Sequence, residues 1–350
     1  MTRLRPRHLA AASALALLLS AAPSRAETAF TVSRPATQAK DSALFIEVQS
    51  GDDLAPLALE RGMIVVRPDL TQTSPALRAH ELHEIVARLR VAYAAHRVIG
   101  HAAAANIAVL MGAANDFDGL LLSDSAQPVV ASKKTPRIIE TWGSDLYWKS
   151  PVRIDAQGAA PQNLRRFFIA GAVADIASSN CLAPLNPRSA APALRALLVV
   201  LDDWTKGVAP PASRVADLTD AHALKWPTAP GLPPAPSVDH PVPRIDADGN
   251  ETSGLRLPDQ ALPIASFTGF NAQKDSKGAP CNAGAMAPFA STKAVREKSG
   301  DTRLALIDRY GSRAYFVATM RVIADRLVKE RLLLPRDADA YVAAAKTAPF

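Results

Sequence analysis

Short apolar runs alternate with longer stretches that are apolar on one face only. Leu44-Phe45-Ile46-Glu47-Val48 and Met63-Ile64-Val65-Val66-Arg67 have strand length and are closed by turn residues, the second by Pro68-Asp69. Ser74 with Pro75 behind it signals a helix start, and Leu82, Ile85, Val86, Leu89 and Tyr93 then recur at helical spacing, which predicts a helix over 75–95. The pattern repeats with a strand over 97–100, an alanine-rich helix over 102–112, and strands over 119–123, 136–141 and 164–170. A helix over 191–204 carries Leu194, Leu197, Leu198 and Leu201 on one face. Uniformly apolar strands separated by amphipathic helices predict an α/β fold with a buried, mostly parallel sheet and flanking helices.

The texture changes after Lys206. Proline becomes frequent and periodicity fades, so 207–290 reads as an extended wrap over a core spanning 43–206. C-terminal helices over 291–346 follow, one with the stripe Phe316, Met320, Ile323 and Leu327, the last over 337–346. One domain over 27–350 accounts for all of this.

The first 26 residues stand apart. Arg3, Arg5 and Arg7 precede an apolar run from Leu9 to Ala22, and Ser24-Arg25-Ala26 supplies small residues at cleavage spacing. The segment 1–26 reads as a secretory signal, which makes the mature protein exported, periplasmic or secreted. Its removal takes four arginines and no acid, so the formal charge falls from +7 to 36 − 33 = +3. A nucleic-acid partner thereby loses its electrostatic support. No other segment is long and apolar enough for a membrane span. At 48% hydrophobic and 21% charged the composition is globular, and two cysteines exclude a cysteine-rich zinc module. In an oxidising compartment Cys181 and Cys281 are candidates for one disulfide, with two buried thiols as the alternative.

In a sheet of this kind chemistry gathers at the carboxyl ends of the strands. Val98-Ile99-Gly100-His101-Ala102-Ala103-Ala104 has the strand, small residues and helix of a nucleophile elbow, with Ala102 in the nucleophile's place. Ser123 and Ser125 end the next strand, and Trp142, Tyr147 and Trp148 are candidate pocket-lining residues, with a place in the core as the equal alternative. No metal site is expected. His80 and His83 are spaced i, i+3 rather than i, i+4, and Asp246 to Glu251 reads as a tight turn. No motif calls for a cofactor.

Asp118-Gly119-Leu120-Leu121-Leu122, Pro161-Gln162-Asn163-Leu164-Arg165-Arg166, Asn186-Pro187, Thr268-Gly269-Phe270-Asn271 and Arg309-Tyr310-Gly311-Ser312-Arg313 occur in an order that resembles the bacterial α/β-hydrolase-domain family of exported or periplasmic hydrolases. The resemblance implies hydrolysis of a carboxylic ester or similar acyl bond. It places the nucleophile at Ala102, the acid at Asp145 (Glu140 as the alternative), the base at Ala174 and an oxyanion N–H at Ala103. An alanine methyl is neither nucleophile nor base. The expectation is therefore a catalytically degenerate protein that keeps a pocket for a small, mostly apolar ligand or ester-like substrate. The alternative is an active hydrolase that uses His101 with Ser123 or Ser125.

Overall fold

Seven strands form one sheet in the computed structural model, which describes residues 29–37, 43–48, 54–151, 161–174, 180–275, 280–281 and 283–350. They are β1 (Phe30–Ser33), β2 (Ala43–Val48), β3 (Ile64–Pro68), β4 (Arg97–Ala103), β5 (Gly119–Ser123), β6 (Arg137–Gly143) and β7 (Leu164–Ile169), in the spatial order β1-β3-β2-β4-β5-β6-β7. β1 runs antiparallel to β3, and the other neighbours are parallel. The segment 1–26, read above as a signal, lies outside the described residues. Among the described residues no helix is long and apolar enough to cross a membrane.

Strand parity sorts the core into two layers. Phe45, Val65, Ile99, Leu121, Ile139 and Phe167 face α1 (Ala55–Glu60) and the Leu194, Leu197, Leu198 and Leu201 stripe of α5 (Ala191–Thr205). Leu44, Ile46, Val98, Leu120, Leu122 and Ile138 face α2 (Arg78–Ala92) and α3 (Ile107–Gly112). Each fully buried Leu or Ile in these layers contributes roughly 1.5–3 kcal/mol. Gly100 permits the second layer to close, because a Cβ there would lie 2.8 Å from Leu110 Cδ1 and 2.9 Å from Phe117.

Three element boundaries differ from expectation. β4 does not stop at Gly100, since Gly100, His101 and Ala102 pair with Ile46, Glu47 and Val48 on one side and with Leu120, Leu121 and Leu122 on the other. Two parallel ladders outweigh the helix propensity of the alanines, so the expected 102–112 helix shrinks to a 3₁₀ turn over Ala104–Asn106 followed by α3. Likewise α2 begins at Arg78 after a turn in which the Leu77 N–H bonds the Ser74 carbonyl at 2.9 Å. β1 was not expected at all, being short and half polar on the sheet edge.

The proline-rich wrap is ordered by hydrogen bonds to the open edge of β7. Arg214 and Leu255 lie in parallel bridges with Phe167 and Ile169, and Leu255 N–H reaches the Phe168 carbonyl at 2.7 Å. This covers an edge that would otherwise be unpaired. α4 (Ser144–Lys149) follows directly on β6, and α6 (Pro258–Ala261) comes just beyond the second bridge. The chain closes with α7 (Lys293–Ser299), α8 (Leu306–Tyr310), α9 (Arg313–Lys329) and α10 (Pro335–Ala345). On α9 the buried stripe is Phe316, Met320, Ala324 and Leu327, with Ile323 partly buried. Cys181 and Cys281 form a disulfide across a separation of 100 residues, fixing the segment after β7 to the wrap.

Candidate functional site

At the end of β4 the backbone makes the abrupt strand-to-helix turn on which α/β hydrolases present a nucleophile. Ala103 is still extended, with φ −121° and ψ 151°, and Ala104 then adopts φ +48°. Ala104 and Ala105 are exposed, while Ala102 is fully buried and packs in the α2/α3 layer. The residue on the strained turn is therefore Ala104, two positions beyond the expected Ala102. A left-handed conformation costs a non-glycine residue about 1–2 kcal/mol. Ala104→Gly is accordingly expected to raise the unfolding free energy by about 1 kcal/mol, after allowing for the extra chain entropy of glycine. A urea midpoint at or below that of the unmodified protein would contradict this.

The end of β6 carries Asp145, which is buried and accepts from Lys149 Nζ at 2.7 Å and from the Ala174 N–H at 3.3 Å. The acid and base positions named from sequence are thus neighbours, and the second holds only a methyl group. Glu140, the alternative acid, points elsewhere. It accepts from the Val129 N–H at 2.9 Å and from Arg166 Nε at 3.2 Å, which anchors the loop before β6. Burial pushes its carboxyl above the ordinary range, against the pull of the Val129 N–H and Arg166.

Ser144 and Glu251 form a pair that sequence reasoning missed. Ser144 Oγ–H donates to Glu251 Oε1, and the Gly171 N–H donates to Glu251 Oε2 at 2.7 Å. Burial pushes the Glu251 carboxyl up to about 7, although the Ser144 and Gly171 hydrogen bonds and the Arg188 charge oppose the rise. Nothing near Glu251 in sequence signals this, since Ser144 lies 107 residues away.

His101 and Ser123, side by side on β4 and β5, do meet. His101 Nε2 lies 3.4 Å from Ser123 Oγ, and both residues are buried. Ser125 does not share this contact; its carbonyl accepts from Trp142 Nε1 at 3.0 Å. On the far side of the imidazole, on β2, stands Glu47, with Oε1 3.8 Å from His101 Nδ1 and Oε2 held by Arg67 Nε at 2.6 Å.

The aromatic residues named as candidates for a pocket lie in the core. Trp142 and Tyr147 are buried with Phe168 and Ala216, and Trp148 packs on Phe270 with a ring separation of 4.5 Å. The cause is the wrap, which supplies Ala216, Val242 and Phe270 to cover them. A surface cleft of about 290 Å³ lies elsewhere, between Pro56 and Leu57 of α1, Arg195 of α5, and Arg336 and Asp337 of α10. Among the described residues no group of three or more His, Cys, Asp or Glu side chains is placed to hold a metal ion. His83 pairs with Asp116 at 2.8 Å, and Asp246 Oδ1 accepts from the Asp248 and Asn250 N–H groups at 2.9 Å each, closing a tight turn.

A family model described as an alpha/beta hydrolase domain matches residues 147–343, more than half of the chain. The chain belongs to the alpha/beta hydrolase domain family. The matched segment of this hydrolase domain includes Ala174 and Glu251 and begins after β6, so it leaves Ala104, Asp145, His101 and Ser123 unassigned. Three solved structures match part of the chain. An alpha-beta serine hydrolase homologue from Coxiella burnetii is 11% identical, with a TM-score of 0.29 over 40% of this chain and 80% of that one. An alpha/beta hydrolase enzyme from the metagenome of Mar Chica lagoon sediments in Morocco is 10% identical, with a TM-score of 0.28 over 41% and 85%. A predicted CIB-like hydrolase from Thermoplasma acidophilum is 12% identical, with a TM-score of 0.26 over 40% and 80%. No curated protein matches the chain.

Proposed function

We propose that this alpha/beta hydrolase domain has lost the nucleophile of its strand-to-helix turn and serves, in an exported setting, to bind a small, largely apolar molecule. The carrying observation is Ala104. The one strained, exposed residue of that turn has no side-chain heteroatom, and Ala102, Ala103 and Ala105 around it supply none. Ala174 beside Asp145 supports the same reading, because a buried carboxylate that once oriented a base now meets a backbone N–H. The disulfide supports export, since such bonds persist in oxidising compartments. The modest charge that remains after loss of the leader favours neither nucleic acid nor an anionic surface as partner.

A ligand that binds only the folded chain raises its melting temperature by mass action. The expected result is a dose-dependent rise with at least one member of a panel of fatty acids and non-hydrolysable ether analogues of acyl esters. A flat response across the panel up to millimolar concentration would remove the binding role.

A further inference from the structure

The three side chains that meet across β2, β4 and β5 stand in the order acid, imidazole, hydroxyl. Glu47, His101 and Ser123 lie on one face of adjacent parallel strands, near their carboxyl ends. Register fixes the arrangement. Glu47 is the direct partner of His101, and Ser123 is two residues beyond Leu121, the partner of His101 on the other side. All three are buried, at 3%, 0% and 2% exposure, so water does not screen them from one another. Among the described residues His101 Nδ1 has no hydrogen-bond partner, and Glu47 Oε1 lies 3.8 Å from it. On Glu47, burial raises the carboxyl, but His101 and Arg67 outweigh it and hold the group below its ordinary range. The carboxylate is therefore ionised beside the imidazole, with Oε1 also accepting from the Leu54 N–H at 3.4 Å. Catalytic hydrogen bonds are commonly long before substrate binds, and the 3.4 Å His101–Ser123 contact falls in that class, while Glu47 stands at ion-pair distance.

We infer that Glu47, His101 and Ser123 form a displaced acyl-transfer site, one strand away from the vacated turn. Ser123 Oγ attacks the carbonyl carbon of an ester while its proton passes to His101 Nε2. The C–O bond to the alcohol breaks, and the alcohol leaves with that proton. Water then attacks the acyl-Ser123 ester with His101 again taking the proton, which releases a carboxylic acid and restores the serine. Glu47 is a positioning residue that holds the imidazole; Arg67 holds Glu47. Ser123 is the register partner of Ala103, so it adjoins the exposed Ala104–Ala105 turn. Because Ser123 has little exposed surface, acylation requires local opening at that turn and is slow. This role rests on the binding of an apolar molecule proposed above and adds turnover to it: the strand-to-helix turn stays without a nucleophile, the thermal-shift panel tests the binding, and serine labelling tests the turnover.

The test uses the full chain and an alkyl fluorophosphonate, which phosphonylates an activated serine with loss of fluoride. Peptide mapping is expected to find one label, on Ser123. Ser123→Ala abolishes it, and His101→Gln slows it by at least about 100-fold, the ordinary contribution of a general base. Glu47→Gln is expected to slow labelling, with partial recovery in Glu47→Asp, which restores the carboxylate. A residue needed only for packing would be tolerated better as the isosteric Gln than as the shorter Asp. Circular dichroism confirms that each variant is folded. Labelling of a different serine, or no label on the folded wild type after prolonged incubation, overturns the inference. The wild-type mapping decides the question even where a variant fails to fold.

Discussion

Replacing both cysteines, Cys181→Ala with Cys281→Ala, is expected to lower the unfolding free energy by about 2–5 kcal/mol. The bond closes a loop of 100 residues, and for a loop of that size the chain-entropy account gives about 4.7 kcal/mol. The native contacts around it do not depend on sulfur. Leu182 N–H bonds the Ala272 carbonyl at 2.7 Å, Asn271 Oδ1 accepts from the Ala183 N–H at 3.1 Å, and Asn271 Nδ2 donates to the Ala183 carbonyl at 3.0 Å. The variant should therefore keep its folded structure and lose stability through a freer unfolded chain. Urea unfolding measures this as a lower midpoint with little loss of native circular dichroism. An unchanged midpoint would show that the cross-link restrains nothing. Titration of the denatured, unreduced protein should find no free thiol, because both cysteines lie in the bridge.

The parallel core was legible because its strands are buried on both faces and so read as unbroken apolar runs such as Leu120-Leu121-Leu122. Helix stripes such as Leu82, Ile85, Val86 and Leu89 were legible by period. The residues 101–103 were not, because alanine favours helix locally and only pairing with β2 and β5 makes them strand. That single boundary moved the strained turn from Ala102 to Ala104. His101 and Ser123 could be suspected because each stands near a strand end. Glu47 could not, since a lone acid near the end of an apolar strand has no local signature. The wrap conceals most. Its proline-rich sequence reads as loop, whereas its order comes from hydrogen bonds to β7 and from polar side chains whose partners are remote in sequence.

Stability is expected to fall as pH rises from about 5 to about 8, and Glu251 is the main cause. It is fully buried where the wrap meets the ends of β6 and β7, and burial raises its carboxyl from 4.5 to about 7. A raised folded value means that the native state holds the proton more tightly than the unfolded chain. The stabilisation is then complete below the unfolded value of 4.5 and is lost as pH passes through the folded value of about 7. A shift of this size corresponds to about 2–4 kcal/mol between the two limits. Asp145 adds to the rise by like charge, while Ser144, the Gly171 N–H and Arg188 oppose it; Arg188 is itself shared with Asp259 at 3.1 Å. Burial raises the Glu140 and Asp246 carboxyls as well, so they slope the same way and remain in the Glu251 variant. Two other kinds of group have to be separated from these. Glu47 and Asp202 are lowered, so their contribution is lost on acidification below the carboxylate range and lies outside the window. His83 is raised by Asp116 and titrates in the same direction, but it is half exposed and screened, so its share is small. Glu251→Gln separates them. It cannot titrate, and its amide offers one acceptor and one donor as the protonated carboxyl does, so the variant should stay close to the unmodified protein at pH 5 and lose less stability as pH rises. Urea midpoints taken at intervals from pH 5 to pH 8.5 for both proteins measure the two slopes. Parallel slopes would mean that Glu251 is already ionised in the folded protein, held so by Arg188 and its two donors, and that the wrap is not fastened by a proton.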